Sequence, residues 1–395
     1  ENGVREAMPS STSTSILTPN GSNYDDTYTI YTLPVFSFDD TAPQAAYTKL
    51  APFEPGTFTV PSTVSSVIFA GGTTPPPAFA IGQYEIPYTL WYAVGQWASW
   101  YKDYFFSDRD IMSDAQKVAH VGNVGTVQQL TDNAAAFKTG RRGSASAGGA
   151  PPLADDYQPV TYIDWRDAAL WCNAYTELLN AAASNGWTAN WDPGLGTLSP
   201  EFAGGGSLDL AYGNGSDLKK VTDFPTDTYT AITLAASNKT GYRLPDEAEW
   251  EYAARGGSHA TTPASGWSSP YGAGGAVGWY QGNAAGQTNP IGTTTAGFFS
   301  FTAGNVSYTV YDMIGNVAEW TNKIATPVDH LPTEIATANI TENTYNEASC
   351  LTGRLVRGGS YDSDTRDCKL GFDRIAKSPG QARSGSVGFR IARSN

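Results

Sequence analysis

The sequence is poor in charged side chains, and above all in basic ones. Only 16% of its 395 residues are charged, and 24 lysines and arginines face 38 acidic residues, which gives a net charge of −14. A protein that binds nucleic acid presents basic side chains that displace the counterions of the phosphates. The composition therefore argues against a nucleic-acid partner.

Long apolar runs are also missing. No segment approaches the ~20 consecutive apolar residues that cross a bilayer, so no membrane span is predicted. The first residues lack the basic and apolar regions of a signal peptide, and the earlier removal of a signal peptide or lipid anchor stays open. Scarce lysine, mild acidity and many serines and threonines favour an exported or cell-surface protein.

Cysteine and histidine are scarce as well. The three cysteines, Cys172, Cys350 and Cys368, do not make a disulfide framework. A Cys350–Cys368 bond and three reduced thiols both stay open. The three histidines form no His-x-x-x-His pair, and the sequence has no P-loop, Gly-x-Ser-x-Gly or Cys-x-x-Cys motif. Hydrolytic and phosphoryl-transfer chemistry therefore has no support.

Glycine and aromatic residues are plentiful, and their spacing indicates helices and short strands. Apolar residues recur at helical spacing after Pro87, and a second helix is predicted over residues 165–182. A short helix is predicted over 246–255, with Asp246 as its cap and Glu249 at capping-box spacing. Glycine-punctuated strands follow up to residue 392, and the low-complexity stretch 138–152 is predicted to be a mobile loop.

The organisation along the chain suggests one large domain. Residues 1–47 are predicted to be an N-terminal extension, and residues 48–395 the domain itself. Within the domain, residues 185–239 are rich in Gly, Asp, Asn and Ser and show no sustained period. So long an irregular stretch in a compact domain predicts a loop-rich insertion.

Three sequence blocks are distinctive in their order. Residues 241–257 read GYRLPDEAEWEYAARGG, residues 310–320 read VYDMIGNVAEW, and residues 354–361 read RLVRGGSY before a closing VGFR at 387–390. This arrangement resembles the formylglycine-generating-enzyme (sulfatase-modifying-factor) family. The resemblance implies an α+β, C-type-lectin-like fold with two main helices, small antiparallel sheets and much loop.

The resemblance also bears on catalysis. In the family's oxidases, two cysteines beyond the Gly-Gly-Ser motif bind copper and oxidise a substrate cysteine. At the matching positions this sequence has Ser363 and Cys368. Since Cu(I) selects thiolates and a serine hydroxyl is a poor substitute, we expect no copper and no catalysis by that route.

The segment 361–386 is the predicted ligand-binding surface. Small polar and aromatic residues alternate there without a helical or strand period, as they do in antibody loops. The segment resembles that of variable proteins of diversity-generating retroelements, in which residues between Gly-Gly-Ser and Gly-Phe-Arg are diversified. The candidate contact residues by that resemblance are Tyr361, Asp362, Ser363, Asp364, Asp367, Gly371, Phe372, Asp373, Ile375, Ala376, Ser384, Gly385 and Ser386.

A structural calcium ion is a further expectation. The family commonly holds Ca²⁺ in its loops, and Asn316 and Glu319 offer the oxygen atoms that this ion prefers. The alternative is that Glu319 pairs with a buried arginine such as Arg357 or Arg390.

Three functions stay open on this basis. The first is a monomeric binding protein with an unknown protein or glycan ligand, bound through the segment 361–386, whose diversification is part of this hypothesis. The second is an oxidase that acts through Cys368 and a second thiol. The third is an accessory subunit whose insertion docks another protein.

Overall fold

The structure, a computed structural model, describes the central parts of the predicted domain. The described residues are 50–53, 75–102, 104–106, 139–144, 157–184, 208–213, 218–220, 240–259, 278–293, 299–303, 306–324, 354–364, 368, 370, 374–376 and 384–394. The predicted N-terminal extension and the candidate contact residues Asp367, Gly371, Phe372 and Asp373 lie outside them, as does Cys350.

Two long helices and one short helix form where the periodicity predicts them. Helix α1 spans Tyr88–Tyr101 with Pro87 as its N-cap, and α2 spans Trp165–Ser184. Helix α3 spans Glu247–Ala254 and begins with the predicted capping box of Asp246 and Glu249. Among the described residues, no helix combines the length and apolar character that a bilayer crossing requires.

The strands of the described residues are short and fall into four small sheets. In chain order they are β1 Leu50–Phe53, β2 Phe79–Gly82, β3 Arg141–Arg142, β4 Val160–Thr161, β5 Phe299–Ala303, β6 Val306–Val310, β7 Ala318–Ile324, β8 Arg354–Arg357, β9 Arg374–Ala376, β10 Val387–Gly388 and β11 Ala392–Ser394. The sheet orders are β1-β2-β11 and β10-β7-β8-β9, with two-stranded pairs β3-β4 and β5-β6. All pairings are antiparallel except that of β10 with β7. This α+β architecture confirms the expected fold class.

An aromatic core joins the two long helices to the end of the chain. Trp91 of α1 stacks on Trp171 of α2 with ring centroids 5.9 Å apart. Phe389 meets both rings edge-on, at 5.8 Å and 5.5 Å. All three side chains are fully buried, so stacked and edge-on aromatic rings join the two helices to the C-terminal segment.

The prediction of a mobile loop over residues 138–152 is wrong at residues 141–142, near the start of that range. Arg141 and Arg142 form β3, which pairs with β4 in antiparallel register. Arg142 is buried, with its guanidinium carbon 4.2 Å from the centroid of the Tyr88 ring. The strand β3 is stabilised by β4 and by the Tyr88 ring, which are distant in sequence. The local composition around β3 therefore does not predict a strand.

The described part of the predicted 185–239 insertion is attached to α2. The Asn173 amide donates to the Tyr212 carbonyl at 2.8 Å and accepts its N–H at 3.1 Å. Asn180 brackets Leu208 in the same way, at 2.9 and 2.8 Å. Asn173 and Asn180, which lie two turns apart on one face of α2, therefore attach this segment to the helix through hydrogen bonds to its main chain.

Candidate ligand-binding surface

The turn before β7 organises the region around the predicted surface. Gly315 and Asn316 have left-handed φ angles of 79° and 59°, which these residue types tolerate best. A Cβ at Gly315 would lie 2.1 Å from the carbonyl oxygen of Trp279, so only glycine fits. The buried Asn316 amide donates to the Glu85 carboxyl group at 2.6 Å and accepts from the Asn289 N–H at 2.9 Å.

Glu319 lies in β7 directly after this turn. Its carboxylate accepts two hydrogen bonds from Arg390, both 2.6 Å, and a third from Trp250 Nε1 at 2.7 Å. The ion pair that sequence analysis left as the alternative is therefore present, with Arg390 as the partner. Calcium binding by Asn316 and Glu319 stays a prediction, and a cation there would compete with these donors.

A second carboxyl group is buried beside that pair. Glu85 is fully buried and accepts from the Val317 N–H at 3.1 Å. Burial raises its pKa well above the ordinary range, and the charges of Asp312 and Glu319 raise it further, while Arg390 and the Val317 N–H lower it. The uncharged form of Glu85 is thus favoured beneath the turn. Within the described residues, no group of three or more His, Cys, Asp or Glu side chains could hold a metal ion.

We call the turn at residues 315–316 and the buried side chains of Glu85, Glu319 and Arg390 the base. The predicted segment begins at a Gly-Gly turn that is hydrogen-bonded to this base. Gly358 and Gly359 have φ angles of 91° and 69°. The Gly315 N–H donates to the Gly358 carbonyl at 2.8 Å, and the Tyr361 N–H donates to the Asn316 carbonyl at 2.9 Å. The main chain is therefore fixed at the first predicted contact residue.

Ser363 is part of a hydrogen-bonded turn and is only 2% exposed. Its Oγ accepts from the Ser360 N–H at 3.0 Å and lies 2.9 Å from Ser360 Oγ. Ser360 Oγ donates its proton to the Asp362 carboxylate at 2.6 Å, so the proton between the two hydroxyls comes from Ser363. The Gln281 N–H holds the Ser363 carbonyl at 3.0 Å. The hydroxyl at the family's copper-ligand position is committed to this turn.

Cys368, the other matching position, is buried among apolar side chains. It forms no disulfide with the other cysteine that the structure describes, Cys172, and is 5% exposed. Its cluster includes Phe79, Ile81, Trp250, Tyr252, Met313 and Leu370. Cys172 is also buried, and burial raises the pKa of its thiol. Neither environment favours a reactive thiolate.

A second part of the predicted segment returns to the same base at residues 384–386. The Tyr162 N–H donates to the Ser384 carbonyl at 3.1 Å, and the Ala318 N–H donates to the Ser386 carbonyl at 2.9 Å. The hydroxyls of Ser384 and Ser386 lie 2.7 Å apart. Both described ends of the segment are therefore attached to the region around β7. We call residues 361–364 and 384–386 together the display surface.

Exposure divides the predicted contact residues into two groups. The side chains that reach solvent, wholly or partly, are Tyr361, Asp362, Asp364 and Ser384. The buried ones, which position the main chain, are Ser363, Gly385 and Ser386. Ile375 and Ala376 lie in β9, opposite Leu355 and Arg354 of β8.

Sequence reasoning missed three residues that adjoin the display surface. The Tyr361 side chain forms a hydrogen bond with Ser144, and burial followed by the charge of Asp362 raises the pKa of Tyr361. Arg141 lies over the Tyr162 ring, 4.3 Å from its centroid. The available signal was an arginine pair between two glycines in a chain that uses few basic residues.

The fold and the position of this surface define a C-type-lectin-like protein of the formylglycine-generating type. Residues 38–395 match the family described as the Sulfatase-modifying factor enzyme 1-like domain. The chain belongs to this family, and the resemblance drawn from the three sequence blocks is confirmed.

Individual relatives show the extent of the similarity. A formylglycine-generating enzyme of Mycobacterium tuberculosis (strain ATCC 25618 / H37Rv) is 31% identical over 182 residues, which are 40% of this chain and 52% of that enzyme. The match thus spans about half the length of the curated relative.

Two solved structures are similar across most of the chain. CarF has a TM-score of 0.53 at 20% identity, covering 88% of this chain and 98% of its own. Variable protein 1 of Treponema denticola has a TM-score of 0.46 at 18% identity, covering 88% and 95%. The likeness to CarF is one of fold.

Proposed function

We propose that this protein is a non-catalytic member of its family that binds a macromolecular ligand through the display surface. The observation that carries the proposal is the state of the two positions where the family's oxidases have cysteines. Ser363 uses its hydroxyl in a buried turn, and Cys368 lies in an apolar cluster. Oxidation by a copper–thiolate pair requires two thiolates.

The anchoring of the display surface supports binding. Its described ends are held by main-chain hydrogen bonds to Asn316, Gln281, Tyr162 and Ala318. Such attachment lowers the ordering cost of binding, because the backbone is already fixed. Tyr361 and Asp362 then present an aromatic ring and a carboxylate to solvent. The acidic, lysine-poor composition supports an exported or cell-surface location for this activity.

The catalytic half of the proposal is tested by turnover. The purified chain is incubated with copper, oxygen and a Cys-x-Pro-x-Arg peptide, and the aldehyde product is measured by mass spectrometry. We expect no product above that of a Cys368→Ser variant. Product that depends on Cys368 would contradict the proposal.

The binding half is tested by selection. A random dodecapeptide library on phage is panned against the chain, and the enriched clones are measured against a Tyr361→Ala variant. Thermal unfolding of the variant shows whether it remains folded. We expect the clones to bind this variant weakly or not at all and to bind a Lys323→Gln control as they bind the wild-type protein. Clones that bind both variants equally would place binding elsewhere.

A further inference from the structure

Arg141 and Tyr162 form a preformed pair at the edge of the display surface. The Arg141 guanidinium carbon lies 4.3 Å from the centroid of the Tyr162 ring. Stacking of this kind orders a guanidinium, while its N–H donors, which point outward in the plane of the guanidinium, stay available to a ligand. Arg141 is exposed and makes no ion pair within the part of the chain that the structure describes.

Tyr162 has an unfavourable main-chain conformation that turns it toward the display surface. Its φ is 56°, and it is the only aromatic residue with a positive φ among the described residues. A bulky side chain in this region costs free energy, and such strain clusters at functional positions. The strained peptide donates its N–H to the Ser384 carbonyl at 3.1 Å. The conformation is thus fixed by the display surface itself.

The Tyr162 ring lies next to both described parts of the display surface. A Cβ at Gly385 would lie 3.2 Å from Tyr162 Cε2 and 3.3 Å from Ser144 Cα, so the Tyr162 ring and Ser144 both lie beside Gly385. Ser144 forms a hydrogen bond with the Tyr361 side chain. Two tyrosines, one serine and one stacked arginine therefore make a continuous patch from three distant parts of the sequence.

We infer that Arg141, held on the Tyr162 ring, binds a side-chain carboxylate of an acidic peptide segment that packs against Tyr162 and Tyr361. The guanidinium fork matches a carboxylate through two parallel hydrogen bonds. This inference rests on the proposed function. It extends the binding surface beyond the C-terminal segment and names the class of ligand.

The charges of the patch favour a peptide carboxylate over other anions. Asp362 is exposed in the same patch and repels a doubly charged phosphate more strongly than a singly charged carboxylate. A nucleic acid needs several cations along its backbone, and the chain carries a net charge of −14. One stacked arginine beside two tyrosines suits a peptide with an acidic and an aromatic or apolar residue.

The test uses three labelled dodecapeptides of one Gly/Ser/Tyr sequence that carry two Glu, two Gln or two Lys residues at the same central positions. Binding to the full chain is measured by fluorescence anisotropy. We expect the Glu peptide to bind about tenfold more tightly than the Gln peptide. Arg141→Gln should remove that preference, and Arg141→Lys should keep part of it, because a lysine retains the charge without the fork.

A matched control comes from another exposed, stacked cation. Lys220 lies 4.9 Å from the centroid of the Phe105 ring, and Lys220→Gln changes the net charge by the same amount as Arg141→Gln. The control variant should retain the full preference for the Glu peptide. Loss of the preference in both variants would show a general charge effect and overturn the inference.

The remaining outcomes separate this inference from the proposed function. Equal binding of the Glu and Gln peptides, a preference for the Lys peptide, or no binding overturns the carboxylate site. If Tyr361→Ala weakens binding while Arg141→Gln does not, the inference fails and the proposed function stands. If Arg141→Gln removes the preference for the Glu peptide while Tyr361→Ala leaves binding unchanged, the carboxylate site stands and binding through the display surface is contradicted.

Discussion

Arg390 and Arg141 lie in two regions of this molecule that treat charge in opposite ways. Arg390 is fully buried and joined to Glu319 by two 2.6 Å hydrogen bonds. Arg141 is exposed, lies on the Tyr162 ring and makes no ion pair with the residues that the structure describes. The charges of the base beneath the display surface are paired and position its side chains. At the edge of the display surface, we infer that the charge of Arg141 is available to a ligand.

Further buried pairs repeat the first pattern. Arg243 binds Glu249 through two hydrogen bonds of 2.6 and 2.7 Å, and Glu251 binds both Arg255 and Arg357, at 2.8 and 2.6 Å. Burying such pairs costs desolvation, so their net contribution to stability is small. Removing one partner is costly, because the other charge is left buried. This difference separates the base from the surface experimentally.

The largest expected effect is that of breaking the central pair. Glu319→Gln removes the carboxylate that is hydrogen-bonded to the buried Arg390, and we expect a loss of about 3–5 kcal/mol in the free energy of unfolding. Urea unfolding measures it. Lys323→Gln is the control, because Lys323 is 41% exposed and 3.8 Å from Glu247, and its loss should cost under about 1 kcal/mol. Similar losses in both variants would contradict the distinction between base and surface.

Asn316→Ala should have the next largest effect. The change removes hydrogen bonds to Glu85 and Asn289 and places alanine at a φ of 59°. We expect a loss of about 2–4 kcal/mol. Asn316→Gly should recover about 1 kcal/mol, since glycine adopts this conformation without strain. Equal stability of the Ala and Gly variants would contradict a conformational role for Asn316.

The insertion offers a buried and a partly exposed version of one contact. Asn173 is fully buried where it brackets Tyr212, and Asn180, which brackets Leu208, is partly exposed. Asn173→Ala should cost about 1–3 kcal/mol, because it leaves two main-chain groups without partners. Asn180→Ala should cost less, and limited proteolysis within residues 185–239 should accelerate more in the Asn173 variant. The reverse order would show that burial does not govern the attachment.

A pH dependence should distinguish Glu85 from its charged neighbours. Its pKa is raised in the folded state by burial first and then by Asp312 and Glu319. The stability contributed by the protonated group is therefore complete below its ordinary pKa and is lost as pH rises through the raised value. Between the ordinary pKa and the raised pKa of Glu85, the free energy of unfolding of the wild-type protein should fall, relative to that of Glu85→Gln, by up to about 1.4 kcal/mol per pH unit. Parallel stability curves from pH 4 to 9 would contradict this.

The smallest effect on stability is expected at the edge of the surface. Arg141→Gln removes one exposed cation–π contact, so the free energy of unfolding should fall by under about 1 kcal/mol. A loss as large as that of Glu319→Gln would show that Arg141 belongs to the base.

The sequence predicted the elements that depend on local patterns. The period of apolar residues predicted α1 and α2 to within a few residues, and the spacing of Asp246 and Glu249 predicted the start of α3. It also gave an ion pair of Glu319 with a buried arginine as the alternative to calcium, without choosing between Arg357 and Arg390. That choice depends on the parallel pairing of β10 with β7, which brings Arg390 to Glu319, while Arg357 binds Glu251.

The site was less predictable, because its neighbours are distant in sequence. No local pattern shows that Ser144 and Tyr162 reach Tyr361, or that Arg141 and Arg142 form a strand. The left-handed φ of Tyr162 is equally invisible, since tyrosine rarely adopts it. Conversely, Ser363 was recognised from its spacing after Gly-Gly-Ser, and the structure adds that its hydroxyl is already used by Ser360.

The proposal that this protein has no copper–thiolate pair is tested most directly by a Cu(I) titration. The reduced chain and its Cys368→Ser variant compete with a chromophoric chelator for Cu(I), and the copper taken up is read from the absorbance. The account predicts the same weak uptake by both proteins, because Ser363 supplies a hydrogen-bonded hydroxyl and Cys368 is enclosed by apolar side chains. One equivalent of tightly bound copper that disappears in the Cys368→Ser variant would contradict it.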